Sequence, residues 1–267
     1  MGRILMSFQN LKFSIEHGIA RITLNRPHEG NAFNQALADE LDDVARECLM
    51  SKQVRVVILA AEGKLFSGGG DLAFMQENAD HLDIAIKKLA DRLHSAYAAF
   101  ARMSAPVIVK VQGTAAGIGL SLSMQGDITV ASDKAKFAAA YTGVGLNPDG
   151  GLTYLLPRAI GFKRAKAFIL QNQIISAEQA LDWGLINQVV AHDELDDTVE
   201  ALAKQLAAGS VGSFAAVKQL LSRTYNETLE SQMHLEGMAL AENAMSANGK
   251  EGIQAFLDGR KPEFQHD

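Results

Sequence analysis

The chain has a single cysteine, Cys48, in 267 residues, so it can form no intrachain disulfide and no cysteine-built metal cluster. Its seven histidines fall without HExxH or another metal-ligand spacing, and no metal site is expected. No apolar run approaches the roughly 18 residues that a membrane-spanning helix requires. The opening MGRILMSFQN turns polar too early for a secretory signal, and the expected location is cytoplasmic. With 25 basic against 31 acidic residues the formal charge is −6, which gives no bulk attraction to nucleic acid. There is no P-loop. Gly117-Ile-Gly119 is too short for a dinucleotide fingerprint, and Ser121 and Ser123 lie within an apolar helical stretch rather than at a serine-hydrolase elbow.

What is present is an ordinary globular balance, 48% hydrophobic and 21% charged, enough for one substantial core. Leu11, Phe13 and Ile15 alternate, His17-Gly18 can turn, and Ala20, Ile22 and Leu24 alternate again, which predicts a hairpin. Leu37, Leu41, Val44 and Cys48 mark one face of a helix, leading to a buried strand at Val54–Ala61. Residues 73–80 read as mobile linker with moderate helix potential. Leu82, Ile86, Leu89, Leu93, Tyr97 and Phe100 then give a long amphipathic helix that stops before Pro106. Strands are expected again at Val107–Val111, Asp127–Ala131 and Phe137–Ala140, and a helix at Phe162–Leu170. Ser176-Ala-Glu-Gln179 matches a capping box. After residue 190 only helices are expected. The pattern predicts an α/β fold with a core over residues 1–190 and a helical region over 191–267, whose surplus of apolar residues points to subunit packing.

Two strand-ending turns are rich in small residues: Phe66-Ser-Gly-Gly-Gly-Asp-Leu72, and Gly113-Thr-Ala-Ala-Gly-Ile-Gly119, which opens into a helix. Such turns leave backbone N–H groups without a partner, and two of them can form an oxyanion hole for a polarised carbonyl. The same glycines also suit plain tight turns. Asp71 can cap the segment that follows it. Asp149, in Asn147-Pro-Asp-Gly-Gly151 between apolar Val144, Leu146 and Leu152, suits proton transfer, although PDGG equally fits a simple turn. Tyr141 suits a pocket wall and is a poor base, with a reference pKa of about 10.

Taken together, Leu24-Asn-Arg-Pro27, the FSGGGDL turn, Pro106-Val-Ile with Gly113–Gly119, Pro148-Asp-Gly-Gly-Leu-Thr-Tyr-Leu-Leu-Pro-Arg158, Ser176-Ala-Glu-Gln-Ala180 and Trp183-Gly-Leu185 resemble the enoyl-CoA hydratase/isomerase (crotonase) family over essentially the whole chain. The motifs are closest to its 1,2-epoxyphenylacetyl-CoA isomerase-like members. The resemblance implies a ClpP/crotonase fold of repeated ββα units, homotrimers or homohexamers, and acyl-CoA thioester substrates, with coenzyme A as part of the substrate and no separate cofactor. It makes Gly70 and Ile118 the oxyanion donors and Asp149 a proton shuttle. Arg26, Ser67, Gly69, Asp71, Leu72, Ala116, Tyr141 and Pro148 become the expected substrate contacts, with Arg26 a candidate for the CoA phosphates. Hydrating members typically carry two glutamates at positions that here look like Ser121 and Tyr141. An isomerase is therefore expected ahead of a hydratase, with a non-catalytic acyl-CoA-binding protein as the alternative from another class.

Overall fold

A computed structural model describes residues 8–265. Most of the opening stretch read for a leader lies outside them. Strands β1 (Leu11–Glu16) and β2 (Ile19–Leu24) form the expected hairpin, with His17 and Gly18 both at positive φ in the two-residue turn that matches strand twist. Helix α1 (Gln35–Met50) starts where the Asn34 side chain accepts the Leu37 N–H, and it buries Leu37, Leu41, Val44 and Cys48. Strand β3 (Val56–Ala61) is buried along its whole length. It is followed by β4 (Leu65–Ser67), α2 (Leu72–Glu77) and α3 (Leu82–Arg102). Strands β5 (Val107–Val111) and β6 (Thr114–Ala116) lead into α4 (Ile118–Ser123), and β7 (Ile128–Ser132) and β8 (Lys136–Ala138) lead to α5 (Leu152–Ile160) and α6 (Phe162–Leu170). The remainder is β9 (Ile174–Ser176), α7 (Ala177–Trp183), β10 (Gln188–Val190), α8 (Leu195–Ala207), α9 (Val211–Arg223), α10 (Leu229–Met245) and α11 (Ala247–Leu257).

Each long strand β3, β5 and β7 is followed within a few residues by a short one, and the short ones build a separate sheet. The main sheet runs β1-β2-β3-β5-β7-β10 and the second β4-β6-β8-β9. This is the expected repeat of two strands and a helical segment. Pairing is parallel from β2 through β10 in the first sheet and across β4, β6 and β8 in the second.

The even burial of β3 follows from packing on both faces. Val57, Leu59 and Ala61 join the core that contains residues of α1 and α3, while Val56, Ile58 and Ala60 meet Leu195, Val199 and Ala203 of α8. Each such fully buried Val, Leu or Ile side chain contributes roughly 1.5–3 kcal/mol. The core therefore continues past the boundary expected at residue 190, because α8 is the cover of the main sheet. Only α9–α11 stand beyond it, tied back by Lys218, whose Nζ lies 2.7 Å from Asp127 and also donates to the carbonyls of Phe100 and Ala105.

Two further expectations change. Residues 73–80 are mostly helical rather than linker: the Asp71 carboxylate accepts from the N–H groups of Ala73 and Phe74 and starts α2, and a 3-10 turn at Ala79–His81 passes the chain to α3. Helix α5, not foreseen, runs through Pro157, which interrupts the usual helical pattern. The capping expectation holds, since Ser176 accepts the Gln179 N–H at 3.2 Å.

Candidate active site

Because β4, β6 and β8 are adjacent and parallel, the turns after their C-terminal ends lie side by side, as ligand-binding loops do at parallel sheet edges. These turns are Gly68–Gly70, Gly117–Ile118 and Ala140–Tyr141, and all three line one cavity of about 550 Å3. The first two pack backbone to backbone. Gly69 has φ 108° and Gly117 φ 54°, and a Cβ on Gly69 would come within 3.1 Å of the Ala116 carbonyl oxygen. Only glycine combines that conformation with that approach.

The bridge to Phe33 sets the donor. Phe33 gives its N–H to the Gly69 carbonyl at 2.8 Å and takes the Asp71 N–H at 3.0 Å, so the Gly70 N–H between them stays unengaged among the described residues. The Ile118 N–H, at the first residue of α4, is likewise unengaged. Two free N–H groups on neighbouring turns can receive a carbonyl oxygen that gains negative charge.

Around them the wall is mostly apolar, including Phe33, Leu72, Phe74, Met75, Ile86 and Leu89. Asp149 supplies a carboxylate, and its Oδ1 lies 2.8 Å from Nε2 of His94 on α3. Both side chains are partly exposed, 36% and 48%. Behind Asp149, the buried Ser121 Oγ donates to the Asp149 carbonyl at 2.7 Å and lies 3.0 Å from the Tyr141 hydroxyl. Burial pushes the Tyr141 phenol up to about 12, against the hydrogen bond to Ser121 that pulls it down, so it stays a neutral donor near neutrality. Ala140, the residue before it, sits at φ 59°, a strained conformation for a non-glycine residue. Asp83 also lines the cavity, but it is shared with a more open charged groove of about 650 Å3 where Asp42, Arg46, Lys87 and Arg92 gather.

Of the residues expected at the site, Gly69, Gly70, Leu72, Ile118, Tyr141 and Asp149 line the cavity; Arg26, Ser67, Asp71, Ala116 and Pro148 do not. Arg26 braces the glycine turn: its guanidinium lies 3.0 Å from Asp71, which caps α2, and also donates to the Ala32 carbonyl. Ser67 shapes the glycine turn, donating to Asn31 O at 2.9 Å and accepting the Gly69 N–H at 3.2 Å. Ala116 ends β6 beneath Gly69, and Pro148 only leads into Asp149. His94 was not foreseen. Its signal is the interval Ile86, Ala90, His94 along one face of α3, where a histidine continues a line of cavity-wall residues.

Two unengaged backbone N–H groups and a carboxylate thus line one apolar cleft on a fold of repeated two-strand and helix units, an arrangement that can receive a carbonyl oxygen gaining negative charge. Comparison with known proteins places the fold in a family. The family model for enoyl-CoA hydratase/isomerase matches residues 14–267. The 1,2-epoxyphenylacetyl-CoA isomerase of Escherichia coli (strain K12) is 35% identical over 254 residues, 94% of this chain and 96% of that protein. The trans-2-decenoyl-[acyl-carrier-protein] isomerase of Streptococcus mutans is 31% identical over 260 residues, 97% and 99% of the two chains. A crystal structure of enoyl-CoA hydratase from Mycobacterium smegmatis superposes with a TM-score of 0.89 at 34% identity, covering 96% of this chain and 98% of that one. The chain belongs to the enoyl-CoA hydratase/isomerase family.

Proposed function

We propose that this enzyme is an acyl-CoA isomerase that moves a double bond along the acyl chain through an enolate held at the thioester. The thioester oxygen accepts from Gly70 N–H and Ile118 N–H. Asp149 takes a proton from the carbon at one end of the three-carbon unit, the electron pair flows into the carbonyl as the enolate forms, and Asp149 returns the proton at the other end. Nothing is oxidised or reduced and no atom is gained, so the reaction needs no redox cofactor, and the two N–H donors supply the charge stabilisation for which other enzymes use a metal. One lost backbone donor in such a hole costs about 3 kcal/mol of transition-state stabilisation.

The observation that carries this reading is the supply of carboxylates. Asp149 and Asp83 both line the cavity and Asp71 follows Gly70, but the Asp71 carboxylate is taken up by Arg26 and the start of α2 and Asp83 also lines the open charged groove, which leaves Asp149 as the carboxylate for the chemistry; Ser121 and Tyr141, at the positions expected to hold a hydratase's two glutamates, bond to one another and to the Asp149 backbone. A ring-epoxide acyl group, in keeping with the name of the Escherichia coli relative, is the other substrate for the same thioester-holding donors, with ring opening in place of the proton shift. The apolar side chains left exposed on α10 and α11, among them Leu240, Met245, Phe256 and Leu257, support assembly into a homotrimer or a hexamer, which sedimentation across a dilution series tests. The reading is that of a cytoplasmic enzyme without nucleic-acid or membrane partners; among the described residues no helix is long and apolar enough to cross a membrane.

The test compares 3-enoyl-CoA and 2-enoyl-CoA substrates by mass and by deuterium uptake at the α and γ carbons. Interconversion without mass change is expected, and Asp149→Asn should lose about 10²–10⁴-fold in kcat with a much smaller change in ligand binding. Gain of water that greatly outpaces interconversion would establish the hydratase instead, and CoA-ester binding without turnover a binding protein.

A further inference from the structure

We infer that His94 is a positioning residue for Asp149, holding its Oδ1 so that Oδ2 is the oxygen that moves the substrate proton. This rests on the proton-shuttle reading of Asp149 and adds to it the group that makes the shuttle directional.

Asp149 stands in the connection between the 3-10 turn Thr142–Val144 and α5, followed by Gly150 and Gly151, both at positive φ. Its backbone is fixed from α4, where Ser121 donates to its carbonyl. Its carboxylate has one hydrogen-bond partner among the described residues, Nε2 of His94 at 2.8 Å. A half-exposed aspartate on a glycine-rich connection would otherwise exchange rotamers, and only one of them presents an oxygen to a substrate carbon. The partner comes from α3, a helix of 21 residues packed into the core through Leu89, Leu93, Ala96 and Phe100, so it is a rigid mount. Ala90 and Ile86, one and two turns earlier on the same face, also line the cavity, which aims this face of the helix at the substrate space.

The chemistry of the pair sets the roles of the two oxygens. An ionised carboxylate only accepts, so the Nε2 facing it carries the proton, and Oδ1 is occupied by that bond. The substrate proton then arrives at Oδ2. The bond to His94 persists when Oδ2 is protonated, so the carboxyl stays in place between removal and return of the proton. Holding it has the value of orientation: a misplacement of about 1 Å can cost on the order of 10²-fold in rate.

The test uses the full chain with Asp149→Asn, His94→Ala, His94→Gln and the double variant Asp149→Asn/His94→Ala, each checked for fold by circular dichroism and assayed on 3-enoyl-CoA. His94→Ala should lower kcat about 10–100-fold with KM within about threefold, and should spread deuterium between the α and γ carbons differently from the parent. His94→Gln, which keeps an N–H donor of similar reach, should recover most of the rate. The double variant should be no slower than Asp149→Asn alone, because both changes remove one function. A His94→Ala enzyme at the parent kcat with the parent deuterium pattern, or a Gln variant as slow as the Ala variant, would overturn the positioning role while leaving the shuttle intact. An Asp149→Asn enzyme at the parent rate would instead overturn the shuttle, and this inference with it.

Discussion

Ser121 Oγ donates to the backbone carbonyl of Asp149 across 2.7 Å, joining the interior of α4 to the connection that carries the carboxylate. The same hydroxyl lies 3.0 Å from the Tyr141 hydroxyl, which reaches the Asp149 carbonyl itself only at 3.4 Å. With its proton committed to Asp149, Ser121 accepts from Tyr141. Two neutral side chains thus fix the backbone of the one residue assigned to move a proton.

Ser121→Ala should therefore weaken the chemistry without dismantling the site. The Asp149 carbonyl would keep the Leu152 N–H at 3.3 Å and the distant tyrosine. Loss of a buried neutral hydrogen bond is worth about 1 kcal/mol, so kcat should fall roughly five- to tenfold, well short of the Asp149→Asn effect. Steady-state kinetics on 3-enoyl-CoA decides it, and an unchanged kcat would show that the carbonyl needs no such anchor.

Gly119, next to the donor Ile118, and Gly70, the other donor, should respond oppositely to an added methyl group. A Cβ on Gly119 would sit 2.6 Å from the Ser67 carbonyl oxygen, a backbone atom fixed in the second sheet, so Gly119→Ala should lose about 1–3 kcal/mol of stability. On Gly70 the closest atom is Cε of Met75 at 2.7 Å, the free end of a flexible side chain. Gly70→Ala should fold normally and instead narrow the cavity, raising KM more for bulky acyl groups than for small ones. Denaturant midpoints and a chain-length series separate the two, and equal stabilities would contradict the packing argument.

How much of this was legible in the sequence depended on the distance over which each signal acts. The glycine turns, the hairpin, the capping at Ser176 and the long helices announce themselves within a few residues, and they were read within a few residues of their true limits. The second sheet was not, because strands such as Leu65–Ser67 and Thr114–Ala116 span three residues, too few for an alternation to show. Likewise α5 was hidden by Pro157 in its interior. Asp149 could be singled out by its local setting, but its pairing with His94 spans 55 positions and exists only once α3 is docked. The bracing of Arg26 was hidden for the same reason: its partner Asp71 is 45 positions away.

Acid sensitivity should appear at the link between α8 and the main sheet. Arg21 of β2 grips Glu200 through two bonds of 2.9 and 2.7 Å, which hold the Glu200 carboxyl below its ordinary range against the opposing effect of burial. The unfolded chain then binds the proton more readily, so this contribution is complete above the ordinary glutamate pKa and is lost as pH falls through the depressed folded value. Both side chains are about one-third exposed, which limits the pair to about 1 kcal/mol. Melting temperatures measured from pH 7 downwards should show a shallower acid decline for Glu200→Gln than for the parent, and parallel curves would remove the pair from the account.

Burial raises the Tyr141 phenol to about 12. It cannot act as a base in the working range, and its contribution is the hydrogen bond to Ser121 and the ring on the cavity wall. Tyr141→Phe keeps the ring, so kcat should fall only severalfold and the pH–rate profile below about pH 10 should keep its shape. Stability should respond at the alkaline end. The unfolded tyrosine gives up its proton near pH 10 whereas the folded one holds it to about 12, so between these values rising pH favours unfolding, and removing the phenol should flatten that limb. Phenolate absorbance against pH, with and without Tyr141, identifies the late-titrating group directly. A Phe variant that folds but has lost turnover by several orders of magnitude would make the hydroxyl a proton donor in the reaction rather than a support for Ser121.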